Sequence, residues 1–355
     1  MKNMKTNAGS FSAKLQATIV KMLGIFTIVA VIGFSLITCD NGSDNDGNGG
    51  NDGNSNNSDG NSNSGSNGKW RTKKTTSYTV TDGVNNLSSE SVYNWITYRY
   101  TSNTNYEQKY TINATNYGST TNTYSQTIQS TRNGQTGVYT NELTQTSETY
   151  SVTQTGSQTT TYDSSGNQLQ TTSQGTSNTT TATGNTSSTS TSTTTYDPAS
   201  GLTSKQVSNT STTNTAGTTT TTQEVNYTIQ LLSDSGGVKT YRQNINSIIT
   251  NGTSADISNQ GYSETKIQNG RTIEQKSFTA SGELSYTITY TVSDNAVIKA
   301  KLGDWTFSSV STPTSNSYST LEVVSDSATE LVIRLKSFAN NVQSSYTDYT
   351  YEKVN

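Results

Sequence analysis

Residues 284–292 alternate strictly: Leu284, Tyr286, Ile288, Tyr290 and Val292 against Ser285, Thr287, Thr289 and Thr291. A period of two puts each set on its own face of an extended chain, so this stretch predicts a strand with one covered and one wet face. The same period recurs upstream. Val92, Ile96, Tyr98 and Tyr100 fall on one face and Tyr93, Trp95 and Arg99 on the other, and Tyr106, Tyr110, Ile112 and Ala114 continue it. Turn dipeptides punctuate these runs. Asp82-Gly83 follows a strand over 70–81, Asn133-Gly134 stands between 120–132 and 136–150, and Asn269-Gly270 joins 262–268 to 271–278. Each is a two-residue hairpin signal. Asp294-Asn295 predicts another turn, after which Ala296, Ile298, Ala300 and Leu302 alternate with Val297, Lys299 and Lys301 as a further strand. Strands are also expected at Leu321/Val323, at Leu331/Ile333/Leu335 and from Tyr346 to Val354. No stretch after residue 40 holds a helical period, and Pro198 and Pro313 are the only prolines. The expectation is an all-β fold: an antiparallel meander of long strands over 69–355, forming an extended sheet or a partly open barrel.

Composition makes that body thin. After residue 38, Leu, Ile, Val and Phe supply 43 of 317 residues, too few for a thick globule. Threonine and tyrosine, both strand formers, take their place. Residues 170–222 are almost entirely Thr, Ser, Asn, Gln and Gly, with little to pack on. They predict a protruding hairpin arm or disorder, because strand register is poorly specified without an apolar face.

The other end of the hydropathy profile lies at the N-terminus. Residues 1–21 carry Lys2, Lys5, Lys14 and Lys21 and no acid, and residues 22–38 form an uncharged apolar run. This is the layout of a secretory signal peptide, and its 17 residues are at the lower edge of what spans a bilayer. Asp40 to Gly68 contains only Asp, Asn, Gly and Ser. Such a segment buries nothing and reads as a flexible tether with a span of about 30 Å. Between leader and tether stands Cys39, the one cysteine, so an intramolecular disulfide is excluded.

Leu36-Ile37-Thr38-Cys39 resembles the lipobox of bacterial lipoproteins, of the relaxed spirochaete type because Thr38 replaces the commoner Gly or Ala. The resemblance implies cleavage between Thr38 and Cys39 and acylation of Cys39. It thus implies a signal peptide over 1–38, a tether over 39–68 and a membrane contact through acyl chains, including palmitate. Stable anchoring takes two chains or more. The implied localisation is the cell envelope, with the outer membrane or cell surface ahead of the inner membrane.

Two further resemblances concern the body. Thr159-Thr160-Thr161-Tyr162-Asp163 recurs as Thr193-Thr194-Thr195-Tyr196-Asp197, each followed by a glycine and a leucine (Gly166 and Leu169, Gly201 and Leu202), with a looser copy from Phe278 to Leu284. These resemble bacterial YD-type repeats, in which each unit is a β-hairpin. A common aromatic–turn–strand pattern would also give hairpins. Gly68-Lys69-Trp70 at the start and Tyr349-Thr350-Tyr351-Glu352-Lys353-Val354 at the end are similar to bacterial lipocalin-like domains. That resemblance implies Trp70 at the base of a barrel and a small apolar ligand inside it.

The chemistry on offer is narrow. There is no histidine, which removes the usual general base and the commonest metal ligand. Glu264 and Glu274 could in principle act as a carboxylate pair, but they flank a hairpin turn where charged neighbours are ordinary. Asp44, Asp46 and Asp52 lack the spacing and closing glutamate of a calcium loop. Trp70, Trp95 and Trp305 are the candidate ligand-facing aromatics. Removing the leader's lysines leaves 18 basic against 25 acidic residues, a net charge of −7, which disfavours nucleic acid. The expectation is a non-enzymatic, lipid-anchored envelope protein without a cofactor, acting by surface contact or structure. A lipocalin-like binder of a small apolar ligand is the alternative.

Overall fold

The computed structural model describes residues 69–354 except 103, 118–121 and 148. The leader, the tether, Thr38 and Cys39 lie outside the described residues, as do Asp44, Asp46 and Asp52. Nineteen strands follow in chain order. The first six are β1 (Lys69–Thr81), β2 (Val84–Ser102), β3 (Asn105–Asn116), β4 (Asn122–Asn133), β5 (Thr136–Thr146) and β6 (Tyr150–Tyr162). Next come β7 (Gln168–Thr181), β8 (Gly184–Tyr196), β9 (Thr203–Asn214), β10 (Gly217–Ser235), β11 (Val238–Thr250) and the short β12 (Thr253–Ser254). Then follow β13 (Tyr262–Gln268), β14 (Arg271–Phe278), β15 (Leu284–Val292), helix α1 (Ala296–Leu302) and β16 (Thr306–Ser311). The chain ends with β17 (Ser317–Asp326), β18 (Glu330–Ala339) and β19 (Val342–Val354).

Each strand pairs antiparallel with its sequence neighbour, apart from β16 with β17 and apart from β12, which only lengthens a turn, so that β11 pairs with β13. β19 returns to pair with β1, from Lys69 opposite Val354 to Thr79 opposite Ser345. The meander therefore curls into a nearly closed barrel of 18 strands. The remaining seam lies between β16 and β17. After a single bridge between Thr312 and Ser315, Ser319 N donates to Ser309 Oγ (2.9 Å) and Ser319 Oγ donates to Ser308 O (3.3 Å). Side chains there stand in for a backbone ladder.

Register assigns every strand residue to one of two faces, and burial identifies the inner one. Side chains converge on the concave face of a curled sheet and splay on the convex face. Tyr93, Tyr110, Ile112, Ala114, Ile128, Val225, Tyr241, Leu331, Ile333 and Tyr351 are buried, and the pairings put them all on one face. Buried Thr72, Ser91, Gln126, Ser130, Arg132, Thr160 and Thr265 share it. Cross-strand ion pairs occupy the opposite, outer face: Arg71–Glu352, Lys74–Glu90, Arg242–Glu264, Lys266–Glu274 and Arg334–Asp348. Among the described residues, the one buried strand residue on the outer face is Tyr346, stacked on Tyr78 (4.6 Å) and covered by Arg334 (4.3 Å).

Several sequence expectations meet this structure closely. Asn269-Gly270 turns between β13 and β14 with φ of 51° and 73°, and Asp82-Gly83 does the same between β1 and β2. Both are type I′ geometry, which Gly, Asn and Asp tolerate. Four corrections are needed. The turn after β4 is Gly134-Gln135, because Asn133 is still paired with Thr136. The alternation in β2 breaks at a bulge after Trp95, which brings Tyr98 onto the same face as Trp95. Residues 170–222 are mostly wall, with β7, β8 and β9 paired on both sides, and only the start of β10 overhangs. Gly217–Thr222 pairs with β9 but extends past the end of β11. Side-chain hydroxyl pairs such as Ser173–Ser192 (2.7 Å) and Thr160–Thr171 (3.1 Å) help set register where apolar side chains are missing.

The fourth correction is α1, expected as a strand. Asn295 Oδ1 accepts from Val297 N (3.0 Å) and Ile298 N (3.3 Å), and Gly303 closes the helix with φ 74° and its N–H on Lys299 O. Lys299 and Lys301 in the last turn complement the helix dipole. Ile298 and Leu302 stand four apart, so they share a helix face as readily as a strand face. The caps, not the alternation, carried the signal.

Candidate functional site

The end of the barrel that holds Lys69 and Val354 also holds α1. Ile298 is fully buried there against Leu331, Ile333 and Tyr351, and Trp70, Trp305 and Tyr349 pack around this nucleus. The helix thus covers the inner face of β17, β18, β19 and β1 at their common base. Burying Ile298 stabilises by about 1.5–3 kcal/mol.

Each candidate tryptophan has a defined place. Trp70 carries Lys301 Nζ 4.5 Å from its ring centre, and Lys301 is itself paired with Asp326 and donates to Ser327 O (2.6 Å). Trp305 donates from Nε1 to Tyr351 Oη (3.0 Å) and meets Tyr349 edge-on at 5.6 Å. Trp95 donates from Nε1 to Thr72 O (2.7 Å), the carbonyl beside the β1 bulge at Lys73. Its ring lies 4.4 Å from Tyr110 and 5.2 Å, edge-on, from Tyr98. Trp70 and Trp305 therefore share one cluster and Trp95 sits in an adjoining one. Tyr98 links the two by donating its hydroxyl to Trp70 O (3.4 Å). Trp70 is at the barrel base, as the lipocalin-like resemblance implies, but packed with α1. Tyr290 and Leu335 are on the same inner face.

The aromatic sector of this face runs on through Tyr93, Tyr110, Tyr124 and Tyr139. Burial pushes the Tyr93 and Tyr110 hydroxyls well above their usual pKa, and that of Tyr139 up to about 12. They are neutral donors and stacking surfaces at ordinary pH, not nucleophiles. From β6 to β9 the inner face changes character. Gln154, Gln158, Thr160, Thr171, Ser173, Ser190, Ser192 and Ser208 give it hydroxyls and amides without charge. The inner wall can thus stack a ring on one side and hydrogen-bond on the other.

Glu264 and Glu274 are on the outer face and carry ordinary charge pairs. Arg242 holds Glu264 (2.6 Å), while Lys266 (2.9 Å) and Lys276 (3.4 Å) hold Glu274. Partial burial opposes ionisation of Glu274, but the two lysines outweigh it and keep its carboxyl below the usual range. A carboxyl held ionised in this way is a poor proton donor, so Glu274 is not poised for acid catalysis. Among the described residues no cluster of three His, Cys, Asp or Glu could hold a metal, and no helix is long and apolar enough to cross a membrane.

The three hairpins carrying the YD-type pattern all form. Asp163 Oδ1 accepts from Ser165 N and Asn167 N (both 2.8 Å), and Asp197 Oδ2 accepts from Ser200 N (2.9 Å) and Ser200 Oγ (2.6 Å). Thr279 and Gly282 close the third. Each aspartate organises its own turn, which accounts for the Tyr-Asp spacing without a ligand.

Searches against protein families and against curated proteins find no match. Among solved structures, the translocator domain of the autotransporter NalP from Neisseria meningitidis aligns over 94% of this chain and 97% of its own, at 10% identity and a TM-score of 0.22. A porin-like protein from Bacteroides uniformis aligns over 57% of this chain and 91% of its own, at 14% identity and a TM-score of 0.16. Superpositions this loose carry no argument about what the present barrel does.

Proposed function

We propose that this chain is a lipid-anchored protein of the bacterial cell envelope whose β-barrel body acts by contact, not catalysis. The observation that carries this reading is the polarity of the wall. A barrel that spans a membrane turns an apolar band outward and a polar surface inward. Here the outward face bears the ion pairs and the inward face bears Ile112, Ile128, Leu331, Ile333 and the tyrosines. An outward Arg or Lys at the bilayer midplane would cost about 2–4 kcal/mol. A wall built this way suits water, so attachment falls to Cys39 and its acyl chains, with the tether holding the barrel clear of the membrane. Display at the outer membrane or cell surface is part of this proposal.

The test is phase partitioning in a cloud-point detergent. The native chain is expected in the detergent phase and Cys39→Ser in the aqueous phase. A Cys39→Ser protein that still partitions with detergent would sink the anchor. One that also resists extraction from membranes by alkaline carbonate would show that the wall itself is inserted.

A further inference from the structure

Six arginines fall within the described residues, and five of them hold a carboxylate: Arg71, Arg99, Arg242, Arg271 and Arg334. The sixth, Arg132, has none within ion-pair distance among the described residues, although it is only 8% exposed. It is the one charged side chain on the inner face of β3 to β9. Burying an unpaired cation is costly, so the arrangement needs a reason.

The surroundings hold its guanidinium in one orientation. Nε donates to Gly134 O (3.2 Å), and Cζ lies over the Tyr162 ring, 3.7 Å from its centre. Tyr162 reaches Arg132 by lying across Gly137, where a Cβ would already touch its ring at 3.4 Å. Among the described residues neither terminal nitrogen has a partner, and no buried side-chain nitrogen is left unsatisfied, so both keep some access to solvent. Residues with hydroxyls and amides occupy nearby positions of the inner face. Thr160, next to Gly137 in the same row, accepts from Gln158 Nε2 (3.3 Å), and Ser130 pairs with Tyr139 in the next row.

We propose that Arg132 is the anchor of a binding site for the carboxylate of an acidic sugar, a uronic acid in a glycan. A stacked, oriented guanidinium with two free terminal nitrogens matches a planar carboxylate bidentately. The neighbouring hydroxyls and amides suit a hydroxyl-rich carrier better than an apolar one, and Tyr139 offers a ring for a sugar face. The proposal stands whether or not Cys39 is acylated.

Calorimetric titration of the detergent-solubilised full chain with trigalacturonate tests it, with the corresponding neutral trisaccharide as control. The chain's own net charge of −3 makes non-specific attraction to an acidic sugar an unfavourable explanation of any binding. Binding of the acidic trimer is expected, at least tenfold tighter than the neutral one. Arg132→Gln should weaken it at least tenfold, and Arg132→Lys should retain part, keeping the charge but not the planar fork. Circular dichroism of both variants checks that the barrel is intact. Absence of heat with trigalacturonate, equal affinity for the neutral trimer, or unchanged binding in folded Arg132→Gln would each overturn the proposal. Acetate competing as strongly as the trimer would overturn the sugar assignment.

Discussion

Trp95 shows how single residues hold this barrel to its register. The β1 bulge at Lys73 takes the Thr72 carbonyl out of the ladder, and the Trp95 indole N–H satisfies it. Trp95→Phe keeps the ring packing on Tyr110 and removes only that donor. It should cost about 1–3 kcal/mol, the penalty of an unmet carbonyl, read as a lower urea midpoint with an unchanged slope. Gly261 makes a different demand. A Cβ there would overlap the Phe278 carbonyl oxygen, which is backbone and cannot rotate away. Gly261→Ala should destabilise by about 1–3 kcal/mol in the same measurement. Of these two positions the sequence singles out only Trp95, and as a candidate ligand-facing aromatic, not as a donor to a bulge. The close approach at Gly261 exists only once β13 and β14 lie side by side. Arg132 was equally silent in sequence, since nothing in Ser130-Thr131-Arg132-Asn133 says that this arginine alone lacks a carboxylate.

At the scale of elements, hairpins were the legible part. Asp82-Gly83 and Asn269-Gly270 define their turns chemically, and the strands on either side followed within a residue or so. Helix α1 is ambiguous in sequence because its seven residues hold both a period of two and an i, i+4 pair. Its role is to cover the barrel base, so its removal should be felt globally. Ile298→Ala, emptying a fully buried site, should cost about 2–5 kcal/mol. Asn295→Ala, removing the cap, should cost about 1 kcal/mol. Thermal unfolding followed by tryptophan fluorescence separates the two, and a smaller loss for Ile298→Ala than for Asn295→Ala would contradict the packing described. The Thr/Ser-rich strands β7 to β9 were unreadable for the opposite reason. With no apolar face, their pairing depends on neighbours already in place, which no local pattern records.

At the scale of the whole molecule the buried tyrosines set an alkaline limit on stability. Tyr139 is raised to about 12 and Tyr93 and Tyr110 are raised as well, against an ordinary value near 10. Between those values the unfolded chain has lost protons that the folded chain keeps, so stability falls as pH rises. Their contribution is full below pH about 10 and is lost as pH climbs towards 12 and beyond. Tyrosinate absorbance should therefore rise in two steps, exposed tyrosines first and the buried group together with unfolding. A single step near pH 10 with the fold retained would contradict the burial.

The sequence by itself determined an antiparallel β body poor in large aliphatics, and it predicts a leader and a tether on either side of Cys39. Those follow from local rules, because alternation, turn chemistry and entropy act over a few residues. Tertiary structure decided what local rules do not reach. It paired β19 with β1, and so turned a meander into a nearly closed barrel. That closure separated an inner from an outer face, sent the ion pairs outward and the tyrosines inward, and left Arg132 within. Which face a residue occupies is a property of the closed ring, since a single bulge reverses it for the rest of the strand.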